Sequence, residues 1–99
     1  MIKTFGQAIK EARQAKGYSQ KDVGDFAGIT KSHVSHAEKG DLKYQPKADV
    51  IYAIASFLEL DELELCLSAG RIPLKYLPTL QENAKAVADL LKDLSNSRR

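Results

Sequence analysis

The sequence predicts an all-α fold, five short helices gathered on one core and followed by an additional C-terminal helix. Three observations carry this. Apolar residues recur three and four positions apart in one segment after another. The segments open on residues suited to helix starts, among them Thr4, Ser19, Thr30, Pro46 and Asp61, and Gly17, Gly28, Gly40 and Gly70 stand where segments end. A chain of 99 residues is long enough for one core and an appendage, with no helix to spare.

Taken in order, Thr4-x-x-Gln7 forms a capping box that opens the first helix and turns Phe5, Ala8, Ile9 and Ala12 inward. Ser19 caps a second helix, Gln20 opens it, and Asp22 places an acid in the first turn, where it complements the helix dipole. This helix ends near Ala27. Gly28 follows where a tight turn needs a left-handed residue, and Thr30 caps a third helix starting at Lys31.

Stepping about 100° per residue along that third helix separates two faces. Val34 and Ala37 fall on the inner side, where Val23 and Phe26 of the second helix should meet them. Ser32, Ser35, His36 and Lys39 centre on the outer side with Lys31 beside them, a polar, basic face without acids. Lys31 opposes the helix dipole at a cost of a few tenths of a kcal/mol. A helix start with N–H groups, a lysine and no carboxylate suits a phosphate or the acceptor edge of guanine. Two short helices joined in this way have the form of a helix-turn-helix that binds DNA.

Residues 41–47 form a loop whose Lys43 and Lys47, with Lys39 just before, are placed to follow a DNA backbone; Tyr44 lies among them. Pro46 suits the start of a fourth helix with Val50, Ile51, Ile54, Ala55 and Leu58 inward. Asp61 caps a fifth, closed by Gly70. Residues 48–64 hold five acids and no base, so this side should face away from DNA.

The sequence resembles the phage-repressor and Cro-like helix-turn-helix family, also called the xenobiotic-response-element type, over residues 5–73. The resemblance rests on Gln20, on Gly28-Ile29-Thr30 at the turn, on Val34-Ser35, and on Glu38-Lys39-Gly40. It implies a lambda-repressor-like DNA-binding domain over residues 1–72, with an extension over 73–99. By the resemblance Lys31, Ser32 and His36 reach base edges in the major groove, with Ser35 a weaker contact. Gln20 and Thr30 match positions that grip phosphates, and Arg13 and Glu38 match a salt bridge tying the first helix to the recognition helix. Two departures stand out. Gly24 occupies a position that is usually alanine in the family, costing about 1 kcal/mol of helix propensity but keeping the close helix approach open, and Ala37 stands where a larger apolar residue is common; both thin the packing.

Beyond Pro73 the apolar piece Leu74-Lys75-Tyr76-Leu77 reads as one helical turn or a structured linker between two prolines. Thr79-x-x-Glu82 is a further capping box, after which Leu80, Ala84, Val87, Leu91 and Leu94 repeat at spacings of 4, 3, 4 and 3. So short a seam makes no independent coiled coil. It either joins two copies, as a protein binding paired half-sites requires, or folds back on its own domain.

The net charge of +2 alone does not announce nucleic acid, but residues 1–47 hold nine Lys/Arg against five Asp/Glu, while 48–99 hold six against eight. The basic half carries the motif. Cys66 is the single cysteine, which excludes an intramolecular disulfide and suits a buried thiol. No signal peptide or membrane-length apolar run is present, so a cytoplasmic protein with no membrane partner is expected. Catalysis is not indicated: there is no phosphate loop, no nucleophile with an evident base, and His33 with His36 supplies two metal ligands where a zinc site needs more. The expectation is a homodimeric transcriptional regulator on double-stranded DNA, most simply a repressor, without cofactor or metal. An antitoxin whose residues 74–94 cover a toxin or other protein partner, and a restriction-modification controller, remain open as alternatives.

Overall fold

The computed structural model describes residues 4–41 and 46–97, and all of their regular structure is helical. α1 spans Phe5–Ala15, α2 Gln20–Ala27, α3 Lys31–Glu38, α4 Ala48–Leu58 and α5 Glu62–Ser68. A single 3-10 turn, Leu74–Tyr76, then leads into α6, Leu77–Glu82, and α7, Ala84–Asn96.

The starts of α1, α2, α3 and α5 form where the sequence supplies a side-chain acceptor for the first-turn N–H groups. Thr4 and Gln7 exchange both bonds of a capping box, as do Ser19 and Asp22. The Thr30 hydroxyl accepts the His33 N–H, and Asp61 accepts that of Glu64. Gly28, at φ +75°, closes α2 in the left-handed region and sends the chain straight into α3.

α2 packs on α3 and α4, α5 packs on α4, and α1 crosses α3 while touching α4 and α5. Their apolar stripes meet in one core: Phe5 and Ile9 from α1, Val23 from α2, Val34 and Ala37 from α3, Ile51, Ile54, Ala55 and Leu58 from α4, and Leu65, Cys66 and Ala69 at α5. Burying each of the larger aliphatic side chains contributes about 1.5–3 kcal/mol. Burial also pushes the Cys66 thiol up, leaving it a small apolar filler. Gly6 makes the α1–α3 crossing close: a Cβ there would stand 2.4 Å from the Glu38 carbonyl oxygen.

Three expectations are corrected. Phe26 does not reach the α2–α3 core; it is 53 % exposed and stacks on Phe57 of α4 at 4.6 Å, while Tyr18 stacks on the same Phe57 ring at 4.5 Å. Phe26 lies where α2 meets α4, and Phe57 offers it a ring to stack on. Pro46 precedes α4 rather than starting it; Lys47 is the N-cap, and Pro46 is buried with its carbonyl accepting from Arg71 Nε at 2.9 Å. Thr79 caps nothing, because Pro78 already fits the first turn of a helix that starts at Leu77.

That helix breaks at Asn83, whose side-chain amide donates to the Thr79 carbonyl at 2.8 Å and whose backbone leaves the helical region at φ −121°. The extension is therefore two helices, with Leu80 on α6 and Ala84, Val87, Leu91 and Leu94 on α7. α7 packs appreciably on α6, and its Leu90, Leu91 and Leu94 are exposed. Among the described residues no helix is long and apolar enough to cross a membrane.

Candidate nucleic-acid interface

The outer side of α3 is built by its two ends. At the start, Thr30 consumes the His33 N–H, and the first turn holds no acid. Lys31 and Ser32 are exposed there, with the positive end of the helix dipole beneath them. One turn on, Ser35 and His36 are half-buried on the same side, and Lys39 is exposed as the C-cap. The structure thus gathers Thr30, Lys31, Ser32, Ser35, His36 and Lys39 along one helix.

The inner side fixes the angle at which this face is presented. Arg13 Nε donates to Glu38 Oε2 at 2.8 Å and its Nη2 to Oε1 at 3.1 Å, a forked pair between α1 and the end of α3. The remaining terminal nitrogen, Nη1, donates to the Tyr18 carbonyl at 3.0 Å, so the same guanidinium also holds the segment entering α2. The carboxylate is only 4 % exposed and the guanidinium 11 %, and the Glu38 bond holds the Arg13 pKa above its usual value.

Gln20 completes this network rather than standing apart from it. Its amide Nε2 donates to Glu38 Oε1 at 3.1 Å, so its side chain is turned toward the α1–α3 junction. The resemblance assigns Gln20 to phosphate; in the structure its side chain gives the nearly buried Glu38 Oε1 a second donor beside Arg13. Lys47 is exposed at the start of α4. Lys43 and Tyr44 lie outside the described residues.

Gly24 does more than leave space. It is buried, and a Cβ on it would stand 2.6 Å from the Ile29 carbonyl oxygen. Its own carbonyl accepts the N–H groups of Gly28 and Ile29, so the turn is drawn down onto α2 at this residue. The close approach that a glycine keeps open is used here, and the packing at Gly24 is tight rather than thinned.

Asp41 was not singled out in the sequence. The chain turns at Gly40 and sets the Asp41 Oδ2 3.5 Å from His36 Nδ1, bringing an acid to the edge of a face that reads as free of acids along the helix itself. The signal that would have found it is the Lys39-Gly40-Asp41 ending, since a left-handed glycine after a helix folds the next residue back on the last turn. Among the described residues no three His, Cys, Asp or Glu side chains gather as a metal site.

A family model described as helix-turn-helix matches residues 9–65. The SPbeta prophage-derived uncharacterized HTH-type transcriptional regulator YonR of Bacillus subtilis (strain 168) is 38% identical over 56 residues, 52% of this chain and 52% of its own. The HTH-type transcriptional regulator SinR of the same organism is 32% identical over 56 residues, 57% of this chain and 50% of its own. The competence pilus inhibition repressor of Acinetobacter baylyi (strain ATCC 33305 / BD413 / ADP1) is 27% identical over 89 residues, covering 90% of this chain and 68% of that protein. The chain spans about half the length of YonR and SinR. No solved structure matches the chain significantly. The family match encloses α2, the Gly28 turn and α3 entire, together with α4 and the Arg13–Glu38 pair that fixes α3, and it covers more than half of the residues: the chain belongs to the helix-turn-helix family of the phage-repressor and Cro type.

Proposed function

We propose that this protein is a sequence-specific DNA-binding repressor that acts in the cytoplasm as a homodimer on a pseudo-palindromic operator of its own or a neighbouring operon. The observation that carries the reading is the exposed start of α3, with Lys31 and Ser32 on a first turn that holds no acid. Such a helix enters the major groove N-terminus first, and its Ser35 and His36 then lie one turn deeper along the base edges. Lys39, Lys43 and Lys47 follow the phosphates, and the starts of α2 and α3 at Gln20 and Thr30 approach them. The names of its relatives, two transcriptional regulators and a repressor, support the same reading.

Two half-sites about 34 Å apart need two copies of the domain held together. Residues 1–72 form the reading domain in this proposal, and the extension over 73–99 joins the copies. Val87, Leu90, Leu91 and Leu94 lie on one side of α7, and the three leucines are exposed in the single chain, as a stripe awaiting a second copy would be. Leu80 and Ala84 flank the Asn83 break and close the seam at its upper end.

Fluorescence anisotropy on DNA from the flanking intergenic region, against random duplex, tests the reading. His36→Ala or Ser32→Ala should cost about 1–3 kcal/mol on the specific site and little on random DNA. With about six phosphates neutralised by lysines in the dimer, the logarithmic salt slope should lie near −5. Equal losses on both duplexes, or an affinity indifferent to salt, would overturn it.

A further inference from the structure

We infer that the groove between α1 and α5 seats α7 of a second copy of this chain, so that each copy lends its last helix to the other. The inference rests on the reading above in which residues 73–99 join two copies, and it says what the leucine stripe of α7 packs against.

The groove has two helical walls of the same periodicity. Ala8, Glu11, Ala12 and Ala15 line it from α1, and Asp61, Glu64, Leu65 and Ser68 line it from α5 and its cap, each set stepping by three, one and three residues. Such steps keep a set on one face of a helix, so each wall is two turns long, about 10 Å. The cavity between the walls is about 520 Å³. With alanines along one wall, the long side chains of a third helix have room to insert as knobs between the two. On α7, Val87, Leu91 and Leu94 step by four and three. Their stripe equals the groove in length.

Charge matches as well. Glu11, Asp61 and Glu64 put carboxylates on both walls, and residues 84–99 hold four Lys/Arg against two Asp. At about 100° per residue, Lys85 and Lys92 lie just beyond Ala84, Ala88 and Ser95, a flank of the stripe with no bulky side chain between them and a wall. Asp89 lies at the back of the helix, where Lys85 Nζ donates to it at 2.9 Å. Lys92 and Glu64 enter no ion pair of the single chain among the described residues. An ammonium on the helix and a carboxylate on the groove are thus left for each other.

The groove is filled from another copy because the extension leaves α5 on the opposite side. Lys75 Nζ lies 3.0 Å from Glu62 Oε1, and Glu62 stands about 200° round the helix from Glu64. From that anchor the chain runs on into α6 and α7, and among the described residues α7 makes no substantial packing on α1 to α5. A seam of α7 on α7 would be about two heptads long, too short for a coiled coil. A seat between two walls gives each α7 two neighbours instead of one, and two-fold exchange makes the contact twice.

The test uses the full chain. Ala12 and Leu91 stand at the middle of groove and stripe, so their meeting does not depend on which way α7 lies. A disulfide needs Cα atoms within about 7 Å, so Ala12→Cys mixed with Leu91→Cys under oxidising conditions should give linked pairs of chains. Leu91→Cys alone should give few, and the buried Cys66 takes no part. Ala15→Arg or Ser68→Arg, each at an exposed position of one wall, should raise the dimer dissociation constant in sedimentation at least about tenfold with far-UV circular dichroism unchanged. Ready linkage of Leu91→Cys to itself, with a dimer indifferent to both arginines, puts α7 against α7; that overturns the inference and leaves the joining role of the extension standing. A dimer that also survives Leu91→Glu overturns both, as does a monomer at every concentration.

Discussion

Gly24 shows how one residue sets the geometry of the turn. Helix propensity favours alanine over glycine there by about 1 kcal/mol, yet the added methyl would sit 2.6 Å from the Ile29 carbonyl, a backbone atom with no rotamer to give way. Gly24→Ala should therefore destabilise the fold by about 1–3 kcal/mol in urea unfolding, the usual cost of overpacking. A gain in stability would mean that the α2–α3 turn relaxes without cost. Asp22 carries a second residue-scale prediction. The Ser19 backbone N–H donates to its carboxylate at 2.8 Å, and this bond, with that of the Ser19 side chain, pulls the Asp22 pKa below the usual carboxylate value. A depressed pKa stabilises the folded state above the unfolded value of about 4, and that contribution is lost as pH falls through the lower folded value. Asp22→Asn keeps an acceptor for Ser19 without the titration, so the stability gap between the two proteins should shrink from pH 5 to pH 2. A gap constant across that range would show that the cap does not depend on charge.

At the scale of elements, what holds α3 at its angle is the junction of Arg13, Glu38 and Gln20. Glu38 is nearly buried, so removing Arg13 leaves a carboxylate whose remaining side-chain donor among the described residues is Gln20, at one oxygen. Arg13→Ala or Glu38→Ala alone should destabilise by about 3 kcal/mol, as for a buried pair broken from one side, and the double mutant should cost clearly less than the sum. Operator affinity should fall with the single changes even where the protein stays folded, because α3 loses its tie to α1. Strict additivity of the unfolding energies would show that the pair contributes as two independent charges. The pair's existence was legible through family resemblance in the spacing of Arg13 and Glu38, whereas the Gln20 bond was not, since no local rule links a helix start to a carboxylate eighteen residues on.

For the whole molecule the open surface is α7. Leu91, 60 % exposed, and Leu94, 54 % exposed, lie open in the single chain, and among the described residues α7 makes no substantial packing on α1 to α5. If α7 joins two copies as proposed, Leu91→Glu should leave the thermal midpoint of residues 1–72 little changed, shift sedimentation velocity from dimer to monomer, and weaken operator binding steeply, because each half-site is then bound singly. A dimer that survives Leu91→Glu would place the interface elsewhere, on α5 around Leu63 and Leu67, of which Leu67 is also exposed.

The sequence by itself determined the five helices, the side-chain caps of α1, α2, α3 and α5, and the outer face of α3, because those follow from local rules: an acceptor one turn before its N–H groups, a glycine where φ is positive, an apolar stripe at helical spacing. It determined less about what approaches from another part of the chain. Phe26 has the composition of a core residue, but its place on Phe57 depended on how α2 lies across α4. The seam from Leu80 to Leu94 reads as one helix by spacing alone, and the tertiary structure divided it at Asn83, where a side-chain amide competes for a backbone carbonyl. Asp41 belongs to a loop in one dimension and to the outer side of α3 in three, since the fold-back at Gly40 brings its carboxylate 3.5 Å from the His36 ring. Local geometry is written within a few residues; distances between elements are set by packing, and the contacts that tune this surface are of that second kind.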